Sequence, residues 1–263
     1  MKSRKLLIFV ILIIVVVVSA LTFVYINSRS KDVKYITKID PVVEKINPEC
    51  SRTSRLDNKP QYDRALSLIL QRIQESIDLD VGTDGETAFN SFPINLVNCI
   101  YIKEEDINDE SGVEGYFSLD SNEIKNNFFP ITVDKDYKEA DDVVTALLIA
   151  HEMDHVQQFL IGTPMSSRND CLRAEADAFV TQWEMFGSLS MEEMASVNAR
   201  IKQNDSLHPQ LQMLANMREL LQQYALPACG FMSRDCTKEV LRVQMFKVLF
   251  DDAYYKKQCE MQK

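Results

Sequence analysis

Residues 151–155 read His-Glu-Met-Asp-His and hold two of the three histidines in the chain. On a helix, His151 and His155 stand one turn apart on a shared face. Two imidazoles so placed can bind one zinc ion, with Glu152 beside them as a general base. A catalytic zinc also needs a third protein ligand and an open position for water. No histidine follows closely after His155, so the third ligand must come from elsewhere. The stretch DCLRAEADAFVTQWEMF (170–186) offers Glu175, twenty residues beyond His155. Its neighbours Ala174, Ala176 and Ala178 are small enough to let this segment approach the HEMDH helix closely. A structural histidine pair and a solvated helix glutamate are the plain alternatives for the same residues.

Together these residues resemble the gluzincin metallopeptidases, whose pattern is HExxH followed by a glutamate ligand on a later helix. The Glu-Ala-Asp at 175–177 is similar to the element found in several membrane-linked zinc peptidases. The likeness covers about residues 139–187 and is nearest to small, membrane-anchored minimal gluzincins. It implies that His151, His155 and Glu175 bind Zn2+, that Glu152 is the base, and that the fold is zincin-like. Two features depart from the pattern. Asp154 stands where the family places an uncharged residue, and so must face solvent or find a partner. Phe179 stands where thermolysin-like enzymes carry an aspartate that orients a histidine, and Asp177 projects from another side of the helix. The groups that orient the ligands are left unassigned by the sequence.

The elements that must position these residues can be read from periodicity. Acidic Glu139, Asp141 and Asp142 precede the apolar run VVTALLIA (143–150), while Gly162 and Pro164 follow the motif. This predicts a buried helix over 139–161. Upstream, Tyr62, Leu66, Ile69, Ile73 and Ile77 recur at helical spacing. Alternation at Ile94, Leu96, Ile100 and Ile102 predicts a strand, with Cys99 and Tyr101 on its other face. Further strands are expected at 116–119 and 128–133, the last confined to a sheet edge or a strand start by Pro130. Helices are expected over 170–187, 191–203, 210–224 and 237–258, with Ser190 and Glu193 as a capping box. The layout is α+β: a small N-terminal sheet packed on an active-site helix, then a helical half.

Ahead of this domain, residues 6–26 carry no charge, and a helix of that length spans about 31 Å at 1.5 Å per residue. A tail (1–5), a transmembrane anchor (6–26), a juxtamembrane linker (27–60) and a catalytic domain (61–263) follow from this. Cleavage of a signal after Ala20 is the alternative. The six cysteines lack a CxxC pair, which favours an oxidising, extracytoplasmic location with up to three disulfides. Cys236 and Cys259 flank a predicted helix about 30 Å long, too far apart to pair with each other. Reduced cysteines in a cytosol-facing domain are the competing reading. The net charge of −10 argues against nucleic acid as a partner.

The expected chemistry is peptide hydrolysis, with Glu152 taking a proton from a zinc-activated water. His208, Tyr224, Tyr254 and Tyr255 are the candidate donors to a developing oxyanion. The peptide or protein substrate would extend along an edge strand near 128–133. The competing class is a membrane-anchored zinc-binding or scaffold protein of zincin fold that does not turn over.

Overall fold

The computed structural model describes residues 58–80, 94–107, 113–117, 128–135, 137, 141–164, 166–203, 209–230 and 233–261. Its elements run α1 (Pro60–Asp80), α2 (Ile94–Asn98), β1 (Ile100–Glu105), β2 (Gly115–Phe117), β3 (Phe129–Asp134), α3 (Asp142–Leu160), α4 (Arg168–Gly187) and α5 (Met191–Gln203). There follow α6 (Pro209–Leu220), a π turn (Leu221–Ala225), α7 (Leu226–Cys229), α8 (Arg234–Asp251) and α9 (Ala253–Met261). The architecture is mixed α+β, mostly helical, with one three-stranded sheet. The anchor expected over 6–26 and nearly all of the linker lie outside the described residues. No helix among the described residues is long and apolar enough to cross a membrane.

The HEMDH motif lies on α3, which forms as its flanks predict. The Asp141 side chain accepts from the Val144 N–H at 2.8 Å, capping the first turn. Gly162, at φ 70°, carries the chain out of the helix after Ile161, a conformation a side chain would resist. Apolar on nearly all sides, α3 buries Val144 and the whole stretch from Ala146 to Ala150. It packs against α1, β2 and α4. Tyr62, Leu66, Ile69 and Ile73 of α1 are buried in this core, as their spacing predicts. Each buried side chain of that size contributes about 1.5–3 kcal/mol.

The sheet order is β1-β3-β2, with β1 parallel and β2 antiparallel to β3. Three expectations are corrected or narrowed here. First, Ile94–Asn98 is a turn of helix, and the strand begins only at Ile100. Leu96 and Val97 are adjacent and both buried, which one face of a half-buried strand cannot achieve. Second, β3 is the central strand and is buried along its whole length, so of the two places Pro130 allows, it is the strand start and not the sheet edge that is realised. Pro130 is accommodated because hydrogen-bonding directions alternate along the strand. Phe129 donates to Cys99 O on the β1 side, so residue 130 faces the β2 side. Pairing with β2 starts only at Ile131, so no ladder bond is lost. Third, the edge strand beside α3 is therefore β2, not 128–133.

The far face of α4 closes a second core with α6, α8 and α9, formed around Leu172, Phe179, Met217, Leu241, Met245 and Leu249. The single helix expected over 237–258 is broken at Asp252, whose backbone is extended. Its carboxylate accepts from the N–H groups of Tyr254 (2.8 Å) and Tyr255 (3.2 Å), starting α9 in a new direction. The helix expected over 210–224 likewise passes into a π turn ahead of Pro227. The capping box on α5 forms as expected, with Ser190 N donating to Glu193 Oε2 and Glu193 N to Ser190 Oγ.

Disulfides join Cys171 to Cys259 and Cys229 to Cys236, so Cys236 and Cys259 do not pair with each other. Cys99 is also disulfide-bonded.

Candidate metal centre

The helical spacing of His151 and His155 places both rings on the side of α3 that faces α4, their centroids 5.0 Å apart. Glu175 rises from α4 between them. Its Oε2 lies 3.4 Å from His151 Nε2 and 3.6 Å from His155 Nε2. One donor atom from each residue falls within 4.8 Å of the other two, so the three can hold a metal ion. His151 and Glu175 are buried, and His155 is partly open to a cavity of about 340 Å³. The small residues beside Glu175 serve the close approach: Ala174, Ala176 and Ala178 are all buried.

The electrostatics favour a cation at this point. Burial disfavours the His155 imidazolium, but the Glu175 carboxylate outweighs it and pushes the His155 pKa up to about 10. Burial would also raise Glu175, yet His155 and His151 hold its carboxyl well below the usual range. Two imidazoles and a carboxylate so coupled attract a proton or a metal ion, and metal binding there must release the proton.

Glu152, buried against the same cavity, accepts from the Phe117 N–H of β2 at 3.0 Å. Burial raises its pKa, partly offset by the two histidines. This contact also reveals the orientation of β2. Phe117 N points away from β3, and Glu114 O accepts from Asp134 N on the β3 side. By alternation, Gly115 turns its N–H and C=O away from β3, toward the cavity it lines. A Cβ at 115 would come within 3.1 Å of Thr132 O and 3.3 Å of the Leu148 side chain, so glycine permits the close approach of β2 to α3.

Among the expected donors, Tyr254 and Tyr255 line the cavity, with pKa values raised first by burial and then by Glu175. Tyr224 is exposed and not among the cavity residues. His208 lies outside the described residues.

Several partners of the site had not been assigned from sequence. Asp154 does not face solvent: it accepts from Thr181 Oγ1 at 2.8 Å and from Gln158 Nε2 at 2.5 Å. Gln158 in turn lies 3.0 Å from His155 Nδ1 through Oε1. Gln258 of α9 donates to Glu175 Oε1 at 3.4 Å. Phe179 packs edge-on against His151, with centroids 4.5 Å apart, and Asp177 is taken up by an ion pair with Arg242. The spacing of Gln158 from His155 was a readable signal, since residues three apart share a helix face. Gln258 lies 83 residues from Glu175 and had none.

Compared with protein-family models, curated proteins and solved structures, the chain matches none.

Proposed function

We propose that the chain is a membrane-anchored zinc metallopeptidase of gluzincin type, hydrolysing peptide bonds with Glu152 as general base. The spacing of the donor atoms carries this reading. Zinc with bonds of about 2.0–2.1 Å in a tetrahedral site needs its ligand atoms roughly 3.3 Å apart. Glu175 lies 3.4 and 3.6 Å from the two imidazole nitrogens. Two neutral imidazoles and one carboxylate, with one side open to a cavity, also suit a catalytic rather than a closed structural zinc site.

When bound, the zinc would supply Lewis acidity toward a water and the substrate carbonyl. The remaining work falls to the chain itself. Glu152 lies beside His151, held by the Phe117 N–H, where it can take a proton and return it to the leaving amine. A pure binding site has no need of a buried carboxylate there, which favours the enzyme over the non-catalytic zinc-binding reading. Gly115 offers its outward N–H and C=O to an extended peptide, which would add to the sheet at β2. Tyr254 and Tyr255, which line the cavity, are the candidate hydroxyl donors. The disulfides support an extracytoplasmic domain, in keeping with the apolar segment at 6–26.

The test is zinc content and chelator-sensitive cleavage of a large peptide library by the full-length protein, beside Glu152→Gln. That substitution keeps the size of the side chain but removes its basicity. Zinc should remain bound while the rate falls about 10²–10⁴-fold. A zinc-loaded wild type indistinguishable from Glu152→Gln across the library would overturn the peptidase reading in favour of a binding protein.

A further inference from the structure

The metal-facing nitrogen of His155 is useful only if its other ring nitrogen carries the hydrogen. We propose that Gln158 is the positioning residue that enforces this, and that it also ties His155 to the backbone of α4 beside Glu175. The inference rests on the metal centre proposed above.

Gln158 is 6 % exposed, so its amide must find its partners within the protein. Amide oxygen and nitrogen are assigned by their neighbours. Here one neighbour decides: the group 2.9 Å from Nε2 is the Ala174 backbone carbonyl, which can only accept. Nε2 is therefore the donor end, and its second hydrogen goes to Asp154 Oδ2. Oε1 is left as the acceptor facing His155 Nδ1 at 3.0 Å, so Nδ1 must carry the hydrogen. The lone pair of His155 Nε2, 3.6 Å from Glu175 Oε2, is then left free for the metal.

Asp154 is the foundation of this arrangement. It is itself fixed by Thr181 of α4 and holds Gln158 from one helical turn away. The unexpected acid within HEMDH thus acts through Gln158 and does not touch the metal. Because Ala174 immediately precedes Glu175, the same amide sets the distance between ligands from two helices. In general, loss of such a partner lowers metal affinity about 10–100-fold.

The experiment uses full-length protein, zinc affinity by chelator competition, and ring-nitrogen NMR of 15N-histidine-labelled, zinc-loaded samples. With three histidines in the chain, the His155 ring signals can be assigned by His155→Ala. Gln158→Leu should bind zinc about 10–100-fold more weakly and lose the protected His155 Nδ1–H signal, with the thermal transition still cooperative. The exchanged pair Asp154→Asn with Gln158→Glu keeps an acceptor for Nδ1–H and a donor behind it, while giving up the bond to Ala174. It should recover the Nδ1–H signal but only part of the affinity, the shortfall reporting the lost tie to Ala174, and a merely structural contact would recover neither. This pair decides the matter if Gln158→Leu fails to fold. Wild-type affinity and an unchanged ring signal in Gln158→Leu would overturn the proposal, as would an exchanged pair that lacks the signal. A wild type that takes up no zinc would overturn the metal centre and this role together. Zinc uptake that His155→Ala abolishes and Gln158→Leu leaves intact would remove this role alone.

Discussion

The two cores that meet at α4 are held by different means. Around α1, the sheet and α3, the described core is a continuous apolar cluster in which β3 and most of α3 are wholly buried. Around α8 and α9, few of the described residues are buried: Leu241, Met245 and Leu249 on α8 and Cys259 on α9. There two disulfides and ion pairs such as Arg242 with Asp177 supplement the packing. The histidines come from the first region, while Gln258 and the tyrosine wall come from the second. Glu175, on α4, belongs to both. The two sides of one candidate metal site thus rest on unlike physics. The imidazoles stand on a helix fixed by packing, and the side that carries Gln258 and the tyrosines is fixed by a smaller core with a disulfide from α9 to α4 added to it.

The largest expected effect tests the covalent side. Replacing Cys171 and Cys259 together by alanine removes a bridge spanning 88 residues. In the chain-entropy account a loop of that size is worth about 4–5 kcal/mol. Chemical denaturation should show a loss of that order. Hydrogen exchange should show α9 opening before α3, and equal protection of the two would break the comparison. Next comes Leu148→Ala on α3, where the side chain is 1 % exposed. Its cost should be about 3 kcal/mol, read from the thermal midpoint, and it should be felt as one cooperative transition. Gly115→Ala should cost about 1–2 kcal/mol, since its Cβ meets the Thr132 carbonyl and Leu148. Cleavage should fall as well if peptide pairs with β2. Smallest is Ser190→Ala, which deletes the α5 cap remote from the site, with a loss of about 1 kcal/mol and unchanged zinc affinity.

What could be read from the sequence was local. His151, His155 and Glu175 were legible because helical spacing and small neighbours are properties of short stretches. The capping box at Ser190 and the apolar face of α1 were legible for the same reason. Strand order was not, because it is decided by pairing between distant segments. Pro130 allowed an edge or a strand start, and only the pairing could choose the start, where its missing donor falls beyond the last residue of β2. The alternation through Ile94 and Leu96 was equally compatible with a turn of helix, and burial of adjacent Leu96 and Val97 selected the helix. Asp154 and Gln158 were visible, but an all-round buried α3 has no polar face from which to tell a ligand's partner from a solvated residue. The break at Asp252 was hidden because aspartate within a long polar helix reads the same as aspartate capping a new one.

The bridge between Cys171 and Cys259 also makes the helical half a closed ring. It encloses a smaller ring closed by Cys229 and Cys236. A single backbone cut between Cys171 and Cys259 therefore opens the ring without dividing the molecule. The two pieces would migrate as one species until a reductant separated them. A single proteolytic nick in this half can go unnoticed on a non-reducing gel, and α9 can remain moored beside the Glu175 helix after the chain leading to it has been severed.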